Sequence, residues 1–197
     1  MSDVERPPPR LPWDPPDNFK KRVPEGDNRE RLVCDDCQFI LYQNPKIVAG
    51  SVVTWEDRIL LARRAIEPRK GFWTLPAGYM EIGETTEQAA QREAVEEACC
   101  TIEIDRLLAV YSIARIGQVQ IMYRARLASP DFAPGPESAE VGLFRWDEIP
   151  WENLAFPTVV WALAHFHQTR NLRDFAAFTN PTGDLARMWP PRKPEGV

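Results

Sequence analysis

Glu93, Glu96 and Glu97 are spaced i, i+3 and i+4, so on a helix all three carboxylates project from one face. Like charges placed that way repel each other and destabilise an isolated helix, so something positive should compensate them. Hard divalent cations such as magnesium bind oxygen ligands and combine a few carboxylates with water and substrate phosphates. The segment entering this helix carries two glycines, Gly78 and Gly83, and two more acids, Glu81 and Glu84. Gly78 would let the backbone approach a metal or a phosphate closely. Arg92, beside the acid face, can hold a glutamate in place with a bidentate hydrogen bond.

These residues need a frame. Thr85 and Gln88 have the spacing of a capping box, and the following turns, 86–98, place Ala90, Ala94, Val95 and Ala98 along one side. Residues 47–54 and 58–64 are β-prone runs separated by Trp55, Glu56 and Asp57, which predicts a hairpin. Residues 102–113 and 118–128 flank Gly117 and form a second pair, and a short strand at 141–146 follows the turn-rich SPDFAPGPES. A second helix should open near Pro157, a favourable first helical position, and bury Val160, Leu163, Ala164 and Phe166. Strands with two helices that must each bury one face predict an α/β (α+β) fold, a mixed sheet sandwiched between helices.

The chain has 197 residues, enough for one sizeable core, and a net charge of −5 that favours neither nucleic acid nor an anionic membrane. Proline is concentrated in residues 7–24 and 181–197, which should form neither regular helix nor sheet. The expected organisation is a proline-rich arm over 1–29, one compact domain over 30–170 and a tail over 171–197. The N-terminal residues hold no apolar run of the secretory type, and no later stretch could span a bilayer. Four cysteines in two close pairs, Cys34/Cys37 and Cys99/Cys100, are no disulfide framework, so a reducing cytoplasm is the expected location.

The run Gly78, five residues, Glu84, seven residues, Arg92-Glu93, two residues, Glu96-Glu97 resembles the Nudix box at all six of its fixed positions. Chance agreement at six positions has odds of about 10⁻⁷, which leaves little room for a merely solvated acidic face. One position departs from the pattern: Cys99 stands where the box ends in a helix-terminating glycine. YQNPKIVAG, GFWTLPAGYMEIGE, FAPGPES and LFRWDEIPWENLAF extend the similarity to the FAD and ADP-ribose pyrophosphatase subgroup. The resemblance implies a Nudix α/β/α sandwich that hydrolyses the pyrophosphate bond of a nucleoside diphosphate derivative, with Mg²⁺ or Mn²⁺ as cofactor. It implies Glu93, Glu96, Glu97 and the Gly78 backbone as metal-binding groups, with Glu84 and Arg92 supporting them.

For the general base the resemblance allows a box glutamate or an acid from a downstream loop. Glu140 is the first choice, with Glu137 and Glu97 as alternatives; Glu137 is also a candidate substrate contact. Arg63 and Arg64 end one strand, and alternation lets only one of them face the substrate. Tyr79 is a candidate stacking partner for a base or flavin, whereas Phe72 and Trp73 fit the core better.

Subgroup members open with a zinc ribbon of two CxxC pairs. Here Cys34 and Cys37 form one pair, and the other falls on sequence around Pro12 and Pro15, so a complete zinc site within one chain is not expected unless a homodimer shares it. The segment 30–46 is then a remnant of that ribbon. His165 and His167 are two apart and form no metal pair, and Cys99 and Cys100 have no neighbouring histidine to make a nucleophile. Two other functions compete. An NADH or NAD-capped RNA pyrophosphatase would usually show a Ser-Gln-Pro-Trp-Pro-Phe-Pro array after the box, and none follows Cys100. A silent nucleotide-binding regulator would commonly have lost box carboxylates, and here they are complete.

Overall fold

The computed structural model describes residues 16–188 and 190–194. The chain divides into two units, 1–44 and 45–197. In the first, β1 (Phe19–Arg22) pairs antiparallel with β2 (Arg31–Cys34), and β2 with β3 (Ile40–Leu41). Strand β1 falls inside the stretch expected to lack regular structure, because the seven residues between Pro16 and Pro24 hold no proline and are free to pair.

The second unit opens with β4 (Lys46–Trp55) and β5 (Arg58–Arg64), joined by the expected tight turn, in which Glu56 takes the left-handed conformation. Short strands β6 (Trp73–Thr74) and β7 (Ala77–Tyr79) follow, then α1 (Thr86–Ala98), β8 (Ile102–Ile113), β9 (Gln118–Leu127), β10 (Ser138–Phe144), α2 (Pro157–Thr169) and α3 (Gly183–Ala186). The sheet order is β10-β5-β4-β9-β8, with β4 and β9 parallel and the remaining pairs antiparallel; the sheet is mixed, as expected.

Adjacent residues of the central strands serve opposite faces. Val52 and Leu61 join the cluster packed by Val160 and Leu163 of α2, whereas Val53 and Leu60 join the one packed by Ala94 and Ala98 of α1. Because strand side chains alternate, the two helices cover opposite faces of one sheet. The capping box is formed, with the Thr85 hydroxyl accepting from the Gln88 N–H and the Gln88 side chain accepting from the Thr85 N–H.

Three local expectations change. Val95 is 52% exposed, since the buried stripes of α1 run through 89/93/97 and 90/94/98. Strand β10 begins at Ser138 rather than 141 because Ser138 already pairs with Arg64, and it ends before Trp146, which turns away to pack edge-on against Trp151. In the tail, Phe178 exchanges backbone hydrogen bonds with Leu108 and Val110 and so covers the free edge of β8, while Gly183–Ala186 form a short helix.

Cys99 ends α1 in the left-handed conformation (φ 46°, ψ 36°), the place glycine usually fills. That conformation strains a residue with a Cβ, whereas glycine has more freedom to lose on folding. Cys99→Gly is therefore expected to stabilise the protein by about 0.5 kcal/mol, with turnover unchanged. A thermal melt that fails to rise by at least a degree would contradict this reading of the helix exit.

Candidate active site

The acid face is assembled by one strand, one helix and two loops. Strand β7 pairs with the first half of β4 and lays Gly78 directly on Glu93; a methyl group added at Gly78 would lie 2.3 Å from a Glu93 carboxylate oxygen. Next to it, the Ala77 N–H donates to Glu97 Oε2 at 3.1 Å. Glu93 and Glu97 are 7% and 6% exposed, whereas Glu96 lies open on the flank.

Arg92 binds these parts together. Its Nε and Nη2 donate to the two oxygens of Glu84 at 2.6 and 3.1 Å. Nη1 donates to Glu93 at 2.7 Å and Glu96 at 2.8 Å, and Nη2 also reaches the Tyr79 carbonyl at 2.8 Å. Glu84 in turn accepts from the Glu81 N–H. The guanidinium therefore fixes the glycine loop to the helix, a task suited to its planar fork of donors.

Charge and burial set the acidities. Arg92 and the Glu81 N–H hold the Glu84 carboxyl below its ordinary value. Burial pushes Glu93 up against the pull of Arg92, with Glu96 and Glu137 adding repulsion. Burial pushes Glu97 up to about 8; the Ala77 N–H and Arg64 oppose the rise, and Glu93 and Glu137 reinforce it. Two buried carboxylates whose charged forms are disfavoured are a site that a cation would stabilise.

Among the described residues, no three such side chains are gathered in a metal-ligating arrangement. The donor chemistry nevertheless suits a hard divalent ion: every side-chain donor is a carboxylate oxygen, and Gly78 leaves no side chain between the backbone and Glu93. Among the described residues, Glu93 and Glu96 both lean on Arg92 Nη1.

The downstream acids separate. Glu140 pairs with Arg63 at 3.1 Å across β10 and β5, with both side chains about half exposed. The charge of Glu137 pushes both Glu93 and Glu97 up. Arg64, the neighbour of Arg63, donates to the Pro68 carbonyl, lies over the Phe156 ring and exerts its charge on Glu97. Tyr79 is half exposed, with the Lys46 ammonium 5.0 Å from its ring centre and Gln118 donating to its hydroxyl. Trp73 packs edge-on against Phe144 at the core margin, and Phe72 lies under the Arg69 guanidinium. Sequence reasoning missed the Ala77 N–H and the Tyr79 carbonyl, backbone groups that carry no residue signal.

Elsewhere, His165 is buried, hydrogen-bonded to Tyr111 and stacked on Phe178. A cavity of about 910 Å³ lies at the opposite end of the sheet, beside Thr54, Asp105, Arg124 and Trp146, and contains none of the box acids. Its charges are largely paired internally, Arg124 with Asp105 and Arg126 with Glu103.

In the N-terminal unit the Cys34 sulfur accepts backbone N–H groups of Cys37 and Asp36, which hold its thiol below the ordinary pKa, together with the Asn18 amide at 3.4 Å. Asn18 also donates to Asp36 at 2.7 Å. Cys34 and Cys37 are the only cysteines in this unit, which has no histidine, so its residues supply half of a tetrahedral set and do not fit a complete structural zinc site.

The NUDIX domain family model matches residues 44–166, and the zinc-ribbon model described as Nudix N-terminal matches residues 17–43. The ADP-ribose pyrophosphatase of Methanocaldococcus jannaschii is 30% identical over 123 residues, 60% of this chain and 72% of that protein. The NAD-capped RNA hydrolase NudC of Edwardsiella ictaluri is 33% identical over 121 residues, but the chain spans only 46% of that relative's length. A crystal structure of a NUDIX hydrolase from Nitrosomonas europaea superposes with a TM-score of 0.77 at 45% identity, covering 82% of this chain and 93% of the other.

Proposed function

Because this chain belongs to the NUDIX family, we propose that it hydrolyses the pyrophosphate bridge of an ADP-ribose-like nucleoside diphosphate derivative in a Mg²⁺- or Mn²⁺-dependent reaction. The observation that carries this reading is the pair of buried carboxylates, Glu93 and Glu97, beside a glycine loop whose Gly78 backbone packs directly on the Glu93 carboxylate. Glu93, Glu96, Glu97 and the Gly78 backbone would hold the metal. The bound ion would lower the pKa of attacking water and offset charge on the phosphates.

The chain's own residues do the rest. Arg92 keeps Glu84, Glu93 and Glu96 in register and anchors the loop through the Tyr79 carbonyl. Glu137 takes the proton of the attacking water; its charge acts on Glu93 and Glu97, whereas Glu140 is committed to Arg63. The water oxygen bonds to phosphorus and the bridging oxygen leaves with its electron pair on the other phosphate, giving two phosphomonoesters. Arg64 is the cation available to a substrate phosphate, and Tyr79 the exposed ring available to a base.

Incubating the purified protein and Mg²⁺ with ADP-ribose, FAD, NADH and diadenosine polyphosphates tests the reading. AMP release from ADP-ribose or FAD is expected; preferential cleavage of NADH would favour a function like that of the NAD-capped RNA hydrolases. Binding without any cleavage would make the protein a nucleotide sensor.

The N-terminal unit is proposed to hold its shape without zinc, the Asn18 amide bridging Cys34 and Asp36 where a second cysteine pair would otherwise close the knuckle. Elemental analysis should find no zinc, and a zinc chelator should leave the melting temperature unchanged. Stoichiometric zinc, per chain or per pair of chains, would overturn that proposal.

A further inference from the structure

The segment between β9 and β10 does more than connect two strands. Phe132 packs into the cluster formed by Ala94, Ala98 and the sheet. The Ala133 N–H then donates to the Ala98 carbonyl at 3.0 Å, and the Gly135 N–H to the Glu97 carbonyl at 3.1 Å. These are two of the carbonyls that the end of a helix leaves without intrahelical partners. Contact at Gly135 is extreme: a Cβ there would lie 1.7 Å from the Glu96 carbonyl oxygen and 2.8 Å from the Glu96 carbonyl carbon. Only a residue without a side chain can lie this close to the backbone of α1.

Two residues further on the chain is anchored again. The Glu137 carbonyl accepts from the Ala65 N–H at 2.8 Å, and the Ser138 N–H donates to the Gly135 carbonyl at 3.0 Å. Pro134 and Pro136 flank the glycine and restrict the backbone on either side. Glu137 is therefore held between an anchor on the metal-face helix and an anchor at the end of β5.

We infer that Gly135 is a positioning residue for the hydrolytic reaction, a seat on the backbone of Glu96 and Glu97 that sets where the Glu137 carboxylate stands relative to the acid face. This rests on the reading of Glu137 as the proton acceptor. Helix and acid then form one register: a shift of the seat moves Glu137 relative to Glu93 and Glu97 without touching any side chain of the site. A misplacement on the order of 1 Å is enough to cost about 10²-fold in rate.

The test is a double-mutant cycle in kcat, using the full chain, Mg²⁺ and the panel substrate it turns over fastest. Glu137→Gln should lower kcat by about 10²-fold or more. Gly135→Ala should lower kcat at least about tenfold with KM little changed, and adding Gly135→Ala to Glu137→Gln should cost almost nothing further. Multiplying losses in the double variant, or a Gly135→Ala enzyme with normal kcat, would overturn the seat while leaving Glu137 as base. A Glu137→Gln enzyme with normal kcat would remove the base reading itself, and the seat with it. Should Gly135→Ala fail to fold, Pro136→Gly loosens the same link without touching the helix. A kcat lowered severalfold at unchanged KM supports the seat, and an unchanged kcat overturns it.

Discussion

Glu97→Gln is expected to lower kcat on the order of 10³-fold in a protein that remains folded, because it removes a charged metal-binding group while keeping the acceptor for the Ala77 N–H. The same variant should change stability in the opposite direction. Burial pushes Glu97 up to about 8 from an ordinary 4.5, so without metal the folded protein holds a proton that the unfolded chain releases. The stability associated with that proton is full below about pH 4.5 and is lost as pH rises through 8. The metal-free variant lacks this loss. It should match or trail the wild type at pH 4.5 and gain on it by a few kcal/mol toward pH 8.5, a trend that paired thermal melts in chelator would reveal. Divalent metal should stabilise the wild type more at pH 8 than at pH 6, since binding displaces the proton. Near-normal turnover by Glu97→Gln would refute its place in the metal site.

Arg92→Ala should be the most destabilising single change in the site. It removes five hydrogen bonds and leaves Glu84, Glu93 and Glu96 without their shared countercharge. With the guanidinium only a quarter exposed, a loss of about 2–3 kcal/mol is expected, together with a 10- to 100-fold fall in kcat/KM. Lysine should restore only part of this, because a point charge cannot bridge Glu84 bidentately while also reaching Tyr79 and Glu96. An Arg92→Lys protein equal to the wild type in melting temperature and turnover would show that the network carries charge alone.

Helix α1 was legible to the residue, because Thr85, Gln88 and the alanine spacing are local signals read within one element. The hairpins around Glu56 and Gly117 were legible for the same reason. The acid face could be recognised as a face from spacing alone. Which downstream acid stands beside it could not, since that depends on where β10 starts. Beginning at Ser138 instead of 141, the strand pairs Glu140 with Arg63 and leaves Glu137 in the preceding loop, whose Gly135 N–H reaches the Glu97 carbonyl. Gly135 was read as a turn residue between prolines. Its function lies in a tertiary contact with Glu96, thirty-nine positions earlier, to which no local periodicity points. Strand β1 was hidden by its proline-rich neighbours and formed because its partner β2 supplies the register.

The most direct measurement is the hydrolysis of ADP-ribose in ¹⁸O-labelled water, with and without Mg²⁺, followed by mass analysis of the phosphomonoesters. AMP and ribose 5-phosphate are expected in equal amounts, with one labelled oxygen per cleaved bridge, in a reaction abolished by chelator and restored by the metal. Tight ADP-ribose binding with no labelled product at any metal concentration would contradict it.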